Sequence, residues 1–459
     1  MEDERILLSA AERLFVLMCL AAYLLFAVAF PTFAYGPDEW MRLKVPLYIA
    51  EHQTLPYGWE PELLDELWGF SYGFQMKLPY LLTGGVLWVM LRFSSSVLAL
   101  LLAARAVNAL FLALAVYVAI RLTKRFTDAP CRWVFIGCIA LTPQTVFLGS
   151  YFNLEAYSLL TVLLILDGWA WGLQSGWSKR SCVYLGIGMG LCVLGYEYAY
   201  GYVLSSAVLY AGWFFLRRRE ERFSRFWWNG CRLALAFGLV CGWYLVRNAI
   251  LYDGDMFAYR IQNAYGELYA KDLLAPSLRN TPQHQGMSVM GMLLQTNWIP
   301  YTLWSAFGVL GYLNVFVPKR LCILFYAFLI MGAAGCTGYF FGSHSKRLPA
   351  QAILTGVSLA LAAAITVGLA VYSSWARDYQ PQGRYILYGL VPVFLASAAG
   401  WHRVAERIGK ALPLPSKRLS RGVAAALIVF LVLSTAVGFL LCVRQFGLFA
   451  PALDSRYLA

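Results

Sequence analysis

Charged residues are scarce in this sequence, and their scarcity excludes a soluble protein. Lys, Arg, Asp and Glu supply 13% of the 459 residues, while 60% are hydrophobic and the mean hydropathy is +0.60. Apolar runs of about 17–25 residues, the length that a helix needs to cross a bilayer, recur along the chain. These runs are continuous and do not alternate with polar residues, which excludes a membrane β-barrel. The sequence therefore predicts an all-α polytopic membrane protein, with residues 1–459 forming a single membrane domain.

Metal ligands and disulfide-forming pairs are also sparse. Only four histidines are present, and the loop residues His52 and His284 have no second histidine at a metal-ligand spacing. The ten cysteines occur singly, without a Cys-x-x-Cys pair, which favours a packing role. The net charge of +13 is explained by basic loops on the inner side of a membrane rather than by a nucleic-acid ligand. We therefore predict no metal site, no disulfide and no nucleic-acid partner.

Loop charge sets the expected topology. Eleven spans are predicted, near residues 14–35, 98–120, 133–149, 155–172, 182–196, 201–216, 233–250, 321–341, 351–373, 385–400 and 423–442. The basic loops RLTKRFTDAPCR, WSKR, RRREERFSR, SHSKR and WHRVAERIGKALPLPSKRLSR then all lie inside, with the amino terminus inside and the carboxyl terminus outside. This arrangement requires residues 301–317 to be a half-inserted segment on the outer face and not a twelfth span. The first run is not followed by a signal-peptide cleavage site and is expected to be retained.

The outer side carries the longer loops, 36–97 and 251–320, and a short loop, 374–384. Because polar chain beyond what is needed to link the spans is concentrated there, we expect the chemistry on the outer face. The first outer loop contains a predicted surface helix, EWMRLKVPLYIAEH. It also contains an amphipathic segment that begins at Leu78-Pro79, directly after Lys77. Both are predicted to be juxtamembrane helices.

Asp38 and Glu39 follow the first span immediately, in the segment YGPDEWMRLK. Two adjacent carboxylates at the edge of a bilayer are costly unless they are paired, solvated or used in chemistry. They could cap the helix that follows, since acids favour a helix N-terminus. They could also be catalytic. The residues alone leave both possibilities open.

The order of the motifs resembles the GT-C superfamily of membrane glycosyltransferases, which includes protein O-mannosyltransferases and bacterial aminoarabinose transferases. It is particularly similar to a bacterial family with a P-D-E motif after the first span, a Pro-Gln…Ser…Asn-x-Asp motif and a late Gly-Arg-Tyr. This chain has Pro37-Asp38-Glu39, PQTVFLGSYFNLEA and QPQGRYILYGLVP at the matching places, and RNAILYDGD and LWSAFGVLGYLNVFVP are similar as well. Arg42 stands where the family usually has His, and Glu155 where it has Asp.

The resemblance implies a GT-C helical bundle that uses a polyprenyl-phosphate-linked sugar donor. The sugar would pass to an acceptor hydroxyl on the outer face, in cell-envelope glycan modification. The acceptor would be a glycan, a lipid or a protein, and the enzyme would lie among the lipids of the bacterial cytoplasmic membrane. No cofactor is implied, but a divalent cation held by Asp38 and Glu155 stays open as an alternative.

Asp38 suits the general base for the acceptor hydroxyl, and Glu39 suits an orienting role, paired with Arg42 or Arg105. Direct attack with one carboxylate implies inversion at the anomeric carbon. Lys77, Arg105 and Arg384 suit the binding of the donor phosphate. Each cation has a structural alternative: snorkelling for Lys77, pairing with Asn108 or Glu155 for Arg105, and anchoring at the membrane edge for Arg384.

Further candidates are predicted to bind substrate: Arg42, Asn153, Glu155, Gln382 and Tyr385. Asn153 and Glu155 begin the fourth span, where they could cap the helix or contact sugar hydroxyls. Asp167, near the inner end of the same span, is expected to be a paired structural acid.

A membrane transporter or flippase for a lipid-linked glycan is the main alternative function, and a non-enzymatic membrane scaffold is a third. Transporters often have two similar halves with broken helices in matching positions. Neither feature is found in this sequence, and the polar residues cluster towards one face of the membrane.

Overall fold

The computed structural model describes residues 6–219, 222–337, 349–412 and 415–450, and most residues in these ranges are helical. In chain order the helices are α1 (Ala10–Ala29), α2 (Glu39–His52), α3 (Leu78–Met90), α4 (Val97–Phe126), α5 (Arg132–Leu141), α6 (Pro143–Ser150), α7 (Glu155–Ser175), α8 (Lys179–Val193), α9 (Gly201–Leu216), α10 (Phe223–Leu251), α11 (Tyr259–Tyr269), α12 (Val289–Gln295), α13 (Trp298–Gly308), α14 (Lys319–Thr337), α15 (Ala350–Ala376), α16 (Gly383–Ala411) and α17 (Ser416–Phe446). Short 3-10 turns occur at Tyr72–Phe74, Glu197–Ala199 and Asp272–Leu274.

The membrane-spanning helices match the predicted spans closely. In the described ranges, nine helices are long and apolar enough to cross a bilayer: α1, α4, α7, α9 with the turn before it, α10 and α14 to α17. The bent pair of α5 and α6 adds a tenth crossing if it is counted as one span, and α8, with 15 residues, packs against α7 and α10 at the predicted span 182–196. The end of the predicted span 321–341 and the loop SHSKR lie outside the described residues. The prediction of an all-α polytopic membrane protein is confirmed.

The predicted span 133–149 is broken and not continuous. Helices α5 and α6 meet at Thr142 and are bent by 47°. Pro143 begins α6, and its ring nitrogen has no hydrogen to donate to the preceding turn, so the helical ladder is interrupted there. The Thr142 hydroxyl donates instead to the carbonyl of Cys138, at 2.7 Å. The break turns the PQTVFLGSYFN segment towards the same end of the bundle as Asp38.

Residues 301–317 do not cross the membrane, as predicted. Helix α13 has 11 residues, or roughly 16 Å of length, which is about half of a bilayer core. The chain then forms a hairpin of two short strands, β1 (Val309–Leu310) and β2 (Val315–Phe316), with Val309 opposite Phe316. Gly311, with φ +65°, supplies a left-handed position in the connecting turn.

The predicted surface helices of the first outer loop are present as α2 and α3, which pack against each other. A Cβ atom at Gly84 of α3 would lie 2.8 Å from the side chain of Ile49 in α2, so the two helices approach closely. The second outer loop contributes α11, α12 and α13. These short helices cover the end of the bundle at which Asp38 lies.

Acids at the opposite end of the bundle are paired. The Asp167 carboxylate lies 2.6 Å from Arg125 and 3.1 Å from Arg121. Glu12 pairs with Lys124 at 2.8 Å and with Arg132. The prediction that Asp167 is a paired structural acid is confirmed, and these pairs hold α1, α4, α5 and α7 together at this end of the bundle.

A buried ion pair fastens the first outer loop to the bundle. Arg105 of α4 donates to both carboxylate oxygens of Glu39, at 2.8 and 2.6 Å, and both side chains are fully buried. The guanidinium also donates to the carbonyls of Ala27, Phe30 and Thr32, at 2.8–3.0 Å. Its five N–H donors are therefore all used where the chain leaves α1 and turns into α2.

We predict that Glu39→Gln lowers the stability of the folded protein strongly. Gln cannot neutralise Arg105, and an unpaired buried charge costs about 3–5 kcal/mol. The measurement is the melting temperature of the purified protein in detergent. The control is Glu66→Gln, which breaks an exposed pair with Lys271 at 3.9 Å and should leave the melting temperature unchanged. Equal melting temperatures for Glu39→Gln and wild type would contradict this account.

Candidate active site

Asp38 lies at the mouth of the bundle, where the three outer loops meet. It is the N-cap residue of α2 by position, but its side chain makes no capping hydrogen bond. Its backbone is left-handed, with φ 58°, which is uncommon outside glycine and indicates a locally constrained position. The Asp38 carboxylate lies 3.1 Å from Nη2 of Arg384, and 32% of its side chain is exposed. Of the two sequence-based alternatives, the structure does not favour capping for Asp38.

Arg384 is the centre of a buried polar cluster. Its Nη1 lies 3.4 Å from the Glu155 carboxylate and 3.4 Å from the Tyr151 hydroxyl, and its Nη2 donates to Tyr385 at 2.9 Å. The Arg384 side chain is 4% exposed. Gly383 permits this position, because a Cβ there would lie 1.9 Å from the backbone nitrogen of Ala306 in α13.

Asn153 and Glu155 separate into two roles. The Asn153 side chain binds backbone only: its oxygen accepts from Ala156, and its amide donates to the carbonyls of Leu148 and Tyr151. Asn153 thus caps α7 and shapes the chain after α6. Glu155 is fully buried, with one oxygen facing Arg384 and the other accepting from the backbone N–H of Leu154 at 3.0 Å.

Arg42 lies behind the site and not within the Arg384 cluster. Its guanidinium stacks over the ring of Tyr72, 4.3 Å from the centroid, and lies 5.6 Å from the centroid of Tyr196. Its Nη1 donates to the Tyr80 hydroxyl at 3.3 Å. Tyr72 and Tyr196 line a cavity beside Asp38, so Arg42 supports the wall of that cavity through aromatic rings.

Lys77 is buried at the start of α3. Its Nζ donates to the Tyr200 hydroxyl at 3.0 Å and lies 5.0 Å from the ring centroid of Tyr244. Burial lowers the pKa of the Lys77 ammonium to about 8, against the opposing effect of the nearby Glu197 carboxylate. Tyr200 and Glu197 line a cavity of about 210 Å³, and Lys77 lies directly behind them.

Arg105 is not part of the Arg384 cluster. It pairs with Glu39, for which the sequence predicted Arg42 or Arg105 as the partner, and not with Asn108 or Glu155; all its donors are used inside the protein. A contact between Arg105 and a donor phosphate would require several of these hydrogen bonds to break. Glu39 is likewise fully buried and faces Arg105 on the side of α2 away from the cavities.

Two cavities flank Asp38. One, of about 170 Å³, extends from Asp38 towards Arg279, Arg377 and Tyr259. The other, of about 430 Å³, extends from Asp38 past Trp40 and Trp68 towards the hairpin turn at Tyr312 and Leu313. The first shares Glu197 and Arg377 in its wall with the 210 Å³ cavity near Lys77. Asp38 therefore lines two cavities, one of which adjoins a third.

The remaining predicted residues lie beside these cavities. Gln382 lines the 430 Å³ cavity together with Arg384. Tyr385 lines the 170 Å³ cavity, stacks on Tyr198 at 4.8 Å between ring centroids, and donates to Gln380. The structure thus brings Asp38, Glu155, Gln382, Arg384 and Tyr385 together from three distant parts of the chain.

Several charged residues at the site are not among the candidates predicted from the sequence. Arg377 and Asp378 come from the short outer loop, Arg279 from the second outer loop, and Glu197 from the turn before α9, and all four line the 170 Å³ cavity. Burial raises the pKa of the Asp378 carboxyl group, and its side chain accepts from Gln380. Arg377 and Asp378 stand a few residues before QPQGRY, and this proximity was the signal that could have identified them.

Metal-binding side chains do not cluster in the described part of the chain, where no three His, Cys, Asp or Glu residues could share an ion. Asp38 and Glu155, the two acids that the sequence suggested for a divalent cation, both face Arg384 instead. The guanidinium supplies positive charge between them.

Comparison with known proteins identifies the fold. No protein-family model and no curated protein matches the sequence. Solved structures do match. ArnT from Cupriavidus metallidurans, crystallised with undecaprenyl phosphate, has a TM-score of 0.57 and 12% identity, covering 94% of this chain and 77% of ArnT. The oligosaccharyltransferase of Archaeoglobus fulgidus has a TM-score of 0.50 and 15% identity over 94% of this chain, which spans 56% of that enzyme.

The chain has the GT-C fold. The resemblance inferred from the sequence motifs is therefore confirmed at the level of the fold. Each of the two matches extends over 94% of the chain.

Proposed function

We propose that this GT-C protein is an inverting glycosyltransferase. It moves a sugar from a polyprenyl-phosphate donor to an acceptor hydroxyl on the outer face of the membrane, in cell-envelope glycan modification. The observation that carries the proposal is the position of Asp38: a partly exposed carboxylate, 3.1 Å from a buried guanidinium, in the lining of two cavities. A base, a cation and space for two substrates are what this reaction requires.

The reaction needs one base and no acid. As the acceptor oxygen attacks the anomeric carbon, its proton passes to Asp38, and the bond between that carbon and the donor phosphate oxygen breaks. The lipid phosphate leaves as a stable anion and needs no proton. A positioned base contributes roughly 10²–10⁴-fold to such a rate.

We assign inversion because neither Glu39 nor Glu155 is placed to act as a second carboxylate beside Asp38. A retaining mechanism uses a second carboxylate, about 5–5.5 Å from the first in glycosidases, as the nucleophile. Glu39 cannot supply it, because Arg105 and the backbone N–H of Phe152 occupy its oxygens in a fully buried site. Glu155 is fully buried behind Arg384. Asp38 is thus the carboxylate of this cluster that reaches the cavities.

Cations along the cavities suit the leaving phosphate. Arg384 adjoins Asp38. Arg377 lines both the 170 Å³ and the 210 Å³ cavity, and Lys77 lies behind the wall of the 210 Å³ cavity. Stabilisation of charge that grows on a leaving oxygen is usually the largest catalytic contribution. The 210 Å³ cavity is also mainly apolar, with Phe257 and Leu369 in its wall, and this suits the first isoprene units of a lipid. The polyprenyl-phosphate donor therefore fits on this side of Asp38.

The 430 Å³ cavity is the proposed acceptor site. Trp40 and Trp68 supply aromatic surface, and Gln380, Gln382 and Asp65 supply hydrogen-bonding groups. Aromatic faces with a few polar groups suit a sugar or another hydroxyl-bearing acceptor. ArnT binds undecaprenyl phosphate in its crystal structure, which supports a lipid of this class as the carrier. A glycan, a lipid or a protein would supply the hydroxyl.

We predict that Asp38→Asn abolishes transfer but retains lipid-phosphate binding. The amide cannot take a proton, so turnover of undecaprenyl-phosphate sugars in envelope extract should fall by roughly 10²–10⁴-fold. Affinity for undecaprenyl phosphate itself should stay within a few-fold of wild type, because Arg384 remains. The matched control is Asp272→Asn, an exposed outer-loop acid outside these cavities, which should change neither quantity. Full turnover by Asp38→Asn would exclude Asp38 as the base.

We also predict that affinity for undecaprenyl phosphate falls as the pH rises through about 8. The lowered pKa of Lys77 means that its ammonium is charged below this pH and neutral above it. The measurement is a binding titration across pH for wild type and for Lys77→Arg, whose guanidinium stays charged throughout. Wild type should weaken at high pH while Lys77→Arg does not. Identical pH profiles for the two proteins would remove Lys77 from the phosphate site.

A further inference from the structure

A row of hydrogen bonds connects Asp38 to the short outer loop between α15 and α16. Nη2 of Arg384 donates to the Asp38 carboxylate at 3.1 Å and to the Tyr385 hydroxyl at 2.9 Å. The Tyr385 hydroxyl donates to Oε1 of Gln380, and Nε2 of Gln380 donates to Oδ2 of Asp378. Two acids are therefore linked through three side chains, and we call these five side chains the loop network.

The chemistry of its groups gives the loop network a single direction. A guanidinium has donors and no acceptor, so the Tyr385 hydroxyl accepts from Arg384. The one hydrogen of this hydroxyl is then left for the carbonyl oxygen of Gln380, and the amide hydrogens of Gln380 remain for a further acceptor. Asp378 supplies that acceptor at the end of the row. Because hydrogen bonds in such a row strengthen one another, Asp378 contributes to the bonds that precede it.

Arg384 depends on Tyr385 for its orientation. Nη2 carries two hydrogens, and the bond to Tyr385 uses one of them, which leaves the other for Asp38. The contacts of Nη1 with Glu155 and Tyr151, both at 3.4 Å, are longer than the usual range of about 2.7–3.2 Å for a hydrogen bond. Nε is buried and has no hydrogen-bond partner among the described residues. The contacts of Nη2 therefore fix the guanidinium, and the contact with Tyr385 is the shortest of them.

The loop that carries Asp378 is anchored to the rest of the outer face. The indole of Trp375 donates to the carbonyl of Met287 at 2.7 Å, and the hydroxyl of Tyr379 donates to the carbonyl of Thr296 at 2.8 Å. Both acceptors belong to the second outer loop, so residues on either side of Asp378 are held by long-range contacts. A site is most precise when the groups that support its side chains are themselves fixed in this way.

We propose that Asp378 and Gln380 are positioning residues for the pair of Asp38 and Arg384. Through Tyr385 they hold the guanidinium at the angle at which Nη2 faces the Asp38 carboxylate. The role in turnover rests on the proposed function, because the pair includes the proposed base. Asp378 also lines the 170 Å³ cavity, so direct contact between Asp378 and a substrate is the alternative outcome of the test.

The test is a double-mutant cycle on the maximal turnover rate of undecaprenyl-phosphate sugars in envelope extract. The variants of the full-length protein are Asp378→Ala, Gln380→Leu and the two combined. Asp378→Ala alone should lower the rate roughly ten- to a hundred-fold, since a misplacement of about 1 Å can cost 10²-fold. In Gln380→Leu, where the network is already interrupted, the same substitution should change the rate by no more than about two-fold. Losses that multiply in the double variant would assign Asp378 to substrate contact and overturn the proposal.

Two further measurements separate positioning from a loss of binding or folding. The affinity of Asp378→Ala for undecaprenyl phosphate should equal or exceed that of wild type, because the substitution removes negative charge from a cavity that adjoins an anion. Asp378→Asn keeps an oxygen that accepts from Gln380 and should recover most of the turnover. Glu66→Ala, at an exposed acid of the first outer loop, is the control and should change neither quantity. Weaker lipid binding by Asp378→Ala, or no recovery in Asp378→Asn, would contradict a positioning role.

Experimental structures of the variants distinguish this inference from the proposed function. In Asp378→Ala, Nη2 of Arg384 should lie more than about 4 Å from the Asp38 carboxylate, beyond the reach of an ion pair. Gln380→Leu should separate the pair as well, and Asp378→Asn should keep it in contact. An unchanged pair in both Asp378→Ala and Gln380→Leu would overturn the inference, whether or not the protein transfers sugar. A separated pair, together with no turnover by wild type, would support the inference and overturn the proposed function.

Discussion

The ion pair between Glu39 and Arg105 is the constraint on which the site depends. Asp38 and Glu39 are adjacent in the sequence but have different roles, because the Glu39 side chain is fixed in the protein interior. Five hydrogen bonds from Arg105 hold Glu39 and the last carbonyls around α1 in one arrangement. With Glu39 fixed, α2 has one possible start, and Asp38 is held at its N-cap with a left-handed backbone, towards Arg384. A buried pair that adds little net stability can still specify geometry in this way, and we infer that role here.

Arg384 joins the three parts of the chain that make the site. It contacts Asp38 from the first outer loop, Tyr151 and Glu155 from the region of the broken crossing, and Tyr385 from its own helix. Two carboxylates around one guanidinium leave the cluster with an excess of negative charge, and the more exposed of the two, Asp38, faces the cavities. In the proposed reaction, this arrangement leaves a base where an acceptor hydroxyl can reach it, beside a guanidinium whose contacts fix its position.

The sequence was most informative about features with strong local signals. Apolar runs predicted the membrane helices, and the charge of the flanking loops correctly excluded 301–317 as a span. The sequence also identified Asp38 and Arg384 as candidates, which lie 346 positions apart and are in contact.

The sequence was less informative about features that depend on tertiary structure. Arg105 has the charge of a phosphate ligand, but its five donors are used by Glu39 and by carbonyls that the sequence does not bring together. Arg279, Arg377 and Glu197 look like ordinary loop charges until α11 and α15 place them around one cavity.

The most direct test of the central claim is an experimental structure of the protein with undecaprenyl phosphate bound. The account predicts phosphate density in the cavities that adjoin Asp38, near the guanidinium of Arg384 or between it and Lys77. The Asp38 carboxylate should then lie about one sugar ring from the phosphorus, and the Glu39–Arg105 pair should be unchanged. Phosphate bound to Arg105 with that pair broken, or bound outside the cavities that adjoin Asp38, would contradict the account.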